Sequence, residues 1–174
     1  MGIKLSRVVF GRASDEWATP RDLFDALDAE FHFALDAAAT SGNALCKVWL
    51  GPDSEFASRM DALKNDWCAT LMQGCFERWS LEPGAIWLNP PYSQCRAFIA
   101  KAAAEAQRGC TVVCLVPSRT DTRWWHAHVW DDERNALRPG VEVRFIKGRL
   151  KFGNSTNSAP FPSVIIIFRP VEVL

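Results

Sequence analysis

Apolar side chains recur along the 174-residue chain with two periods, and the switches between them outline its elements. Residues 1–18 follow neither period and read as a lead-in, flexible over 1–14. At Thr19-Pro20-Arg21-Asp22 the pattern predicts the start of a helix. Thr19 suits the cap, Pro20 the first helical position, and Asp22 the positive helix end. Leu23, Phe24, Leu27 and Phe31 then share one face. Phe33-Ala34-Leu35 predicts a strand ending in Asp36, followed by the small-residue turn Ala37 to Asn43. Residues 47–88 are the least regular. Lys47 to Leu50 reads as a short strand, Gly51 to Ser54 as a turn, and Met60-Asp61-Ala62-Leu63 as a second strand-to-turn point.

After the turn Glu82-Pro83-Gly84, Ala85-Ile86-Trp87-Leu88 predicts a buried strand that stops at Asn89-Pro90-Pro91-Tyr92-Ser93. Cys95 to Arg108 predicts an Ala-rich helix ended by Gly109. Thr111 to Val116 is a continuous β-branched run, as expected of a strand buried on both faces of a parallel sheet, and Pro117 ends it. Asp121 to Trp130 reads as a short helix, Arg134 to Gly140 as a loop, and Val141 to Ile146 as a half-exposed strand. Arg149 to Phe152 is a further short strand, Gly153 to Ser158 a polar loop, and Ser163 to Phe168 a last buried strand. Helices alternating with strands, then consecutive strands, predict an α/β fold with an antiparallel terminal part.

Length favours one domain spanning 1–174, with no separate target-recognition domain. No apolar stretch reaches the roughly 18 residues that span a bilayer, and the first residues lack a secretory core, so a soluble intracellular protein is expected, without a membrane partner. The 20 basic and 20 acidic residues cancel, but unevenly. Residues 1–93 hold 8 basic and 13 acidic side chains, and residues 94–151 hold 11 and 6. A polyanion would be held by the later part, although charge alone does not establish a nucleic-acid partner. The six cysteines form no CxxC pair, and reduced, mostly buried thiols are expected. Cys110, Cys114, His126 and His128 lack the paired spacing of zinc ligands, so no metal is expected.

Asn89-Pro90-Pro91-Tyr92 carries the chemistry. It sits between a buried strand and a helix, where open α/β sheets bind ligands. The prolines stiffen the turn and remove two donors, leaving carbonyls and the Asn89 oxygen as acceptors. Tyr92, the only tyrosine, adds a flat face. Acceptors beside a flat face suit an aromatic amine or a planar amide, although Asn and Pro are also ordinary turn residues.

The motif matches the (N/D)PP(Y/F/W) signature of S-adenosylmethionine-dependent amino-methyltransferases. The chain resembles, more narrowly, the phage-type DNA adenine-N6 methyltransferase (Dam) family. The resemblance runs from Thr19-Pro20 through LDAAAT, Asp61-Ala62-Leu63, Asp66-Trp67, LNPPYS and LVPSRTDTRWWH to GRLKF…PFPSVIIIF, about residues 15–170. It implies a Rossmann-like methyltransferase fold, a mostly parallel sheet with a C-terminal antiparallel hairpin. It also implies S-adenosylmethionine as cofactor and double-stranded DNA as partner. By position, Asn89, Pro90, Pro91 and Tyr92 would hold a flipped-out base, and Thr19, Pro20, Asp36, Ala37, Asp61 and Asn89 would meet the cofactor. Ser93, Arg119, Arg123, Arg144, Lys147, Arg149 and Lys151 would grip DNA, with at least half of the cations expected to be plain surface charges.

Two features depart from the family pattern. The Asp36-Ala37-Ala38-Ala39 loop lacks the glycine-rich form of many methyltransferases, and only Asp53 and Glu55 stand near where an acidic residue would take the ribose. Asp36 and Asp61 could also be plain helix-start residues. Trp124, Trp125 and His126 either wall the base pocket or belong to the core. The alternatives are glutamine or cytosine-N4 methylation, or a silent nucleic-acid-binding relative. The resemblance further implies a phage or prophage origin, the cytoplasm of a bacterial host and a site such as GATC. It leaves the oligomeric state open.

Overall fold

One mixed sheet with a helical layer on each face organises the chain in the computed structural model, which describes residues 17–56, 59–78, 84–153 and 157–171. In chain order the elements are α1 (Arg21–Phe31), β1 (Leu35–Asp36), β2 (Val48–Trp49), α2 (Trp67–Arg78) and β3 (Ile86–Leu88). A 3-10 turn, Tyr92–Gln94, leads into α3 (Cys95–Gln107), β4 (Val112–Pro117) and α4 (Arg123–His128). The remainder is β5 (Trp130–Asp131), β6 (Ala136–Leu137), β7 (Val141–Phe145) and β8 (Ser163–Phe168).

The sheet order is β2-β1-β3-β4-β8-β7. The first four run parallel, and β8 lies antiparallel between β4 and β7. Strand alternation sends β4's Val112, Cys114 and Val116 to one layer and Val113 and Leu115 to the other. The first set packs with Trp67 and Leu71 of α2, Ile99 and Ala102 of α3, and Trp124 of α4. The second packs with Phe24, Leu27 and Phe31, the apolar stripe of α1. All six residues of β4 and of β8 are buried, as their apolar runs predict.

Several expectations are corrected. Pro20 occupies the cap position of α1, and the Thr19 hydroxyl makes no cap bond. The 60–63 segment is a turn without a strand, because Trp67 reaches back and its indole N–H donates to the Ala62 carbonyl at 2.7 Å. Helix α2, unforeseen, begins at Asp66, whose carboxylate accepts the Ala69 N–H at 2.9 Å. The 134–140 loop contains β6, paired with β5 across a turn in which Asn135 takes a positive φ of 49°. Residues 149–152 are not a strand: Phe152 is buried among aromatic rings instead of joining the sheet. Cys68 and Cys110 form a disulfide, so the expectation of reduced thiols fails for that pair. The expectation of a flexible lead-in over 1–14 lies outside the described residues. Among those described, no helix is long and apolar enough to cross a membrane, and no cluster of three or more metal-ligating side chains occurs.

Candidate active site

The register sets Asp36 of β1 beside Trp87 of β3, so the strand ends Asp36 and Leu88-Asn89 open on the same edge. A cavity of about 430 Å³ lies there, within the usual range for small-molecule sites. Thr19, Asp36, Asp61, Asn89, Pro90 and Pro91 all line it. Pro20 and Ala37 do not: Pro20 starts α1, and Ala37 is core, its N–H donating to the Trp87 carbonyl at 2.9 Å.

Asp36 is 3% exposed. Burial pushes its carboxyl up from 3.8 to about 6, while the N–H groups of Leu45 (3.1 Å) and Ala38 (3.4 Å) pull the other way. Asp61 is exposed, and Lys64 at 2.9 Å holds its carboxyl below the ordinary carboxylate value. Two acidic side chains thus line the cavity, a setting suited to a cationic ligand.

The site's centre is the Asn89 amide. Its Nδ2 donates to the Trp17 carbonyl at 2.5 Å and to the Thr19 hydroxyl at 3.0 Å. Its Oδ1 is buried and accepts no bond among the described residues. Tyr92 starts the following 3-10 turn beside the cavity. Trp17 stacks on it (centroids 6.2 Å apart, planes at 15°), and Phe152 and Phe161 meet it edge-on. Burial raises the Tyr92 hydroxyl well above its ordinary range and the Cys95 thiol to about 12, so neither ionises near neutrality.

Trp17, Thr40, Asn43, Leu45, Gly51 and Gln94 also line the cavity and were not foreseen. At Gly51 a Cβ would stand 1.7 Å from the Ala39 carbonyl oxygen, so only glycine fits that approach. Asp53 and Glu55 are not among the cavity's lining residues, and the Asp53 carboxylate accepts from the Ser41 hydroxyl at 2.6 Å. Trp124 and Trp125 are core residues, and His126 pairs with Asp132 at 2.7 Å.

Ser93, Arg119, Arg123, Lys147, Arg149 and Lys151 are exposed and follow the carboxyl ends of β3, β4 and β7. Arg149 also donates to the Pro160 carbonyl at 3.2 Å. Arg144 differs. Its guanidinium donates to both oxygens of Glu30 (2.6 and 2.7 Å) and to Glu142 (2.6 Å), and it covers the Phe31 ring. Two carboxylates of the fold already pair with its charge.

A model of the DNA N-6-adenine-methyltransferase (Dam) family matches residues 9–173. The chain belongs to that family. Among its relatives, the DNA N-6-adenine-methyltransferase of Escherichia phage T1 is 27% identical over 173 residues, covering 91% of this chain. The chain spans 64% of that protein's length. The DNA N-6-adenine-methyltransferase of Haemophilus phage HP1 is 26% identical over 159 residues, covering 90% of this chain and 79% of its own. Both similarities cover about nine-tenths of this Dam-family chain.

Proposed function

We propose that the chain is a site-specific DNA methyltransferase that places a methyl group on the exocyclic amine of a flipped-out adenine, in the cytoplasm of a bacterial host and of phage or prophage origin. The observation that carries this is the buried Asn89 oxygen, which has no hydrogen-bond partner among the described residues and belongs to a residue lining the cavity. A buried acceptor left unsatisfied is costly unless a ligand completes it. With the Pro90 carbonyl next to it, it gives two acceptors for the two hydrogens of an amine.

Adenine's amine is a weak nucleophile because its lone pair is delocalised into the ring. Asn89 and Pro90, accepting both hydrogens, turn that lone pair out of the ring plane, and the stiff Pro90-Pro91 turn holds them in place. The acceptors also favour the positive charge that builds on nitrogen as the bond forms. S-adenosylmethionine, when bound, supplies a methyl group on a sulfonium, already activated for transfer. The acidic wall of Asp36 and Asp61 and the close backbone approach at Gly51 fit that cation and its flat adenine. Tyr92 offers the base a stacking face once Trp17 gives way. The reversed β8 between β4 and β7 supports a Rossmann-like methyltransferase sheet, worked as a single domain. Arg119, Arg123, Lys147, Arg149 and Lys151, with Ser93, would hold the phosphates of double-stranded DNA.

Transfer of labelled methyl from S-adenosylmethionine to unmethylated duplex DNA tests the reading, with Asn89→Ala beside the wild type. Label in N6-methyladenine from the wild type, and at least about a hundredfold less from the variant, is the expected result. Cofactor binding without any DNA label would sink the DNA assignment and leave protein amides as the substrate class.

A further inference from the structure

Building on that reading, we propose that Thr19 is a positioning residue for transfer. Together with the Trp17 carbonyl, it fixes the Asn89 amide so that its oxygen, and not its nitrogen, faces the cavity. The two ends of an asparagine amide have almost the same shape and differ in hydrogen bonding alone. A half-turn about the last side-chain bond would point two donors at the substrate amine and leave it the Pro90 carbonyl as its single acceptor. Something in the protein must therefore choose the orientation.

The choice is made by what the amide's other end meets. The Trp17 carbonyl is an acceptor only, and it lies 2.5 Å from Nδ2. An oxygen in that place would set lone pairs against lone pairs. The Thr19 hydroxyl, at 3.0 Å, could donate or accept; beside the Trp17 carbonyl it accepts the amide's second hydrogen. Both hydrogens are then used, and the oxygen is left buried toward the cavity. The hydroxyl is available because it does not serve α1: that helix has no side-chain cap bond at its start. A threonine at a helix entry that forgoes capping to reach a residue 70 positions away is explained by this task.

The test uses Thr19→Val, which keeps the shape and removes the acceptor, and Thr19→Ser, which keeps the hydroxyl. At saturating S-adenosylmethionine and duplex DNA, single-turnover transfer by Thr19→Val should fall about ten- to a hundredfold, with both Kd values within about twofold of wild type. Thr19→Ser should recover to within about threefold of wild type. A Thr19→Val defect that vanishes at saturating cofactor would make Thr19 a plain cofactor contact and overturn the proposal. A serine variant as slow as the valine one would overturn it too. The lock can also be read without turnover. In 15N-labelled protein the Asn89 side-chain amide hydrogens, assigned by their loss in Asn89→Ala, should exchange at least about tenfold more slowly than an exposed amide, and faster in Thr19→Val. Unprotected exchange in the wild type overturns the lock. Protected exchange in a protein that labels no DNA overturns the DNA reading and leaves the lock standing.

Discussion

Asp36 is the group in the cavity least comfortable with its charge. Its carboxyl is buried with two backbone donors among the described residues, and burial raises its pKa to about 6 from an ordinary 3.8. The folded state therefore takes up a proton between those values that the unfolded chain does not. Its contribution to stability is present at low pH and is lost as pH rises through about 6. Asp36→Asn removes that charge but sets its amide nitrogen against the Leu45 or the Ala38 N–H, so in a denaturant titration at neutral pH the two effects should offset and leave stability close to the wild type's. The same change should weaken S-adenosylmethionine by about tenfold or more, because an uncharged amide no longer complements a sulfonium. In the wild type, calorimetric affinity should fall as pH drops through about 6, where Asp36 gains its proton. A profile flat down to about pH 5 would remove Asp36 from cofactor recognition. Asn89 makes a related demand. An aspartate there would bring a carboxylate oxygen against the Trp17 carbonyl, now 2.5 Å from Nδ2. Asn89→Asp should thus lose transfer by more than about tenfold in this chain, even though the signature admits either residue.

Elements were legible where their own residues decide them. Strands β4 and β8 are buried throughout and apolar but for Ser163, and α1 and α3 carry their apolar faces in their spacing. Helix α2 was not, because much of what starts it is remote. The Cys68 N–H donates to Glu105 at 3.1 Å, from a fully buried carboxylate on α3, and Asp66 also pairs with Arg108 beyond the end of α3. Only the Asp66 cap was written locally, and Asp66→Ala should cost about 1 kcal/mol of stability. Residues 149–152 mislead in the opposite sense: their alternation is that of a strand, yet Phe152 packs with Tyr92 and Trp17, and Leu150 against the same cluster, instead of pairing in the sheet. The cluster couples that connection to the site. Phe152→Ala should therefore cost about 3–5 kcal/mol, measured by denaturation, and should slow transfer as well, by loosening the Tyr92 face. The Asn89-Pro90-Pro91-Tyr92 turn was readable as a site because its chemistry is local. Thr19, Trp17 and Gly51 took their roles from contacts across the chain, which no spacing displays.

At the scale of the whole molecule, the balanced charge divides by task. The acidic half supplies Asp36 and Asp61 to the cavity, and the basic half places exposed cations after the carboxyl ends of β4 and β7, the edge on which the cavity opens. Arg144 belongs to the basic half by sequence and to the scaffold by contact, since its two bonds to Glu30 tie β7 to α1. The two roles respond differently to salt. A lysine that neutralises a phosphate releases a condensed counterion, so affinity for duplex DNA should fall with salt less steeply when it is removed. For the pair Lys147→Ala and Lys151→Ala, the slope of log affinity against log salt should drop by about 1 per lysine, independent of sequence. Arg144→Ala should leave that slope unchanged, and should instead lower stability by about 1 kcal/mol, because its ion pairs are partly exposed to water. A slope that drops with Arg144 and not with the lysines would place the DNA across β7 and α1, away from the loops after β7. Adenine would then have no short path to Asn89, and the cavity edge would need another polyanion-binding surface to explain its use.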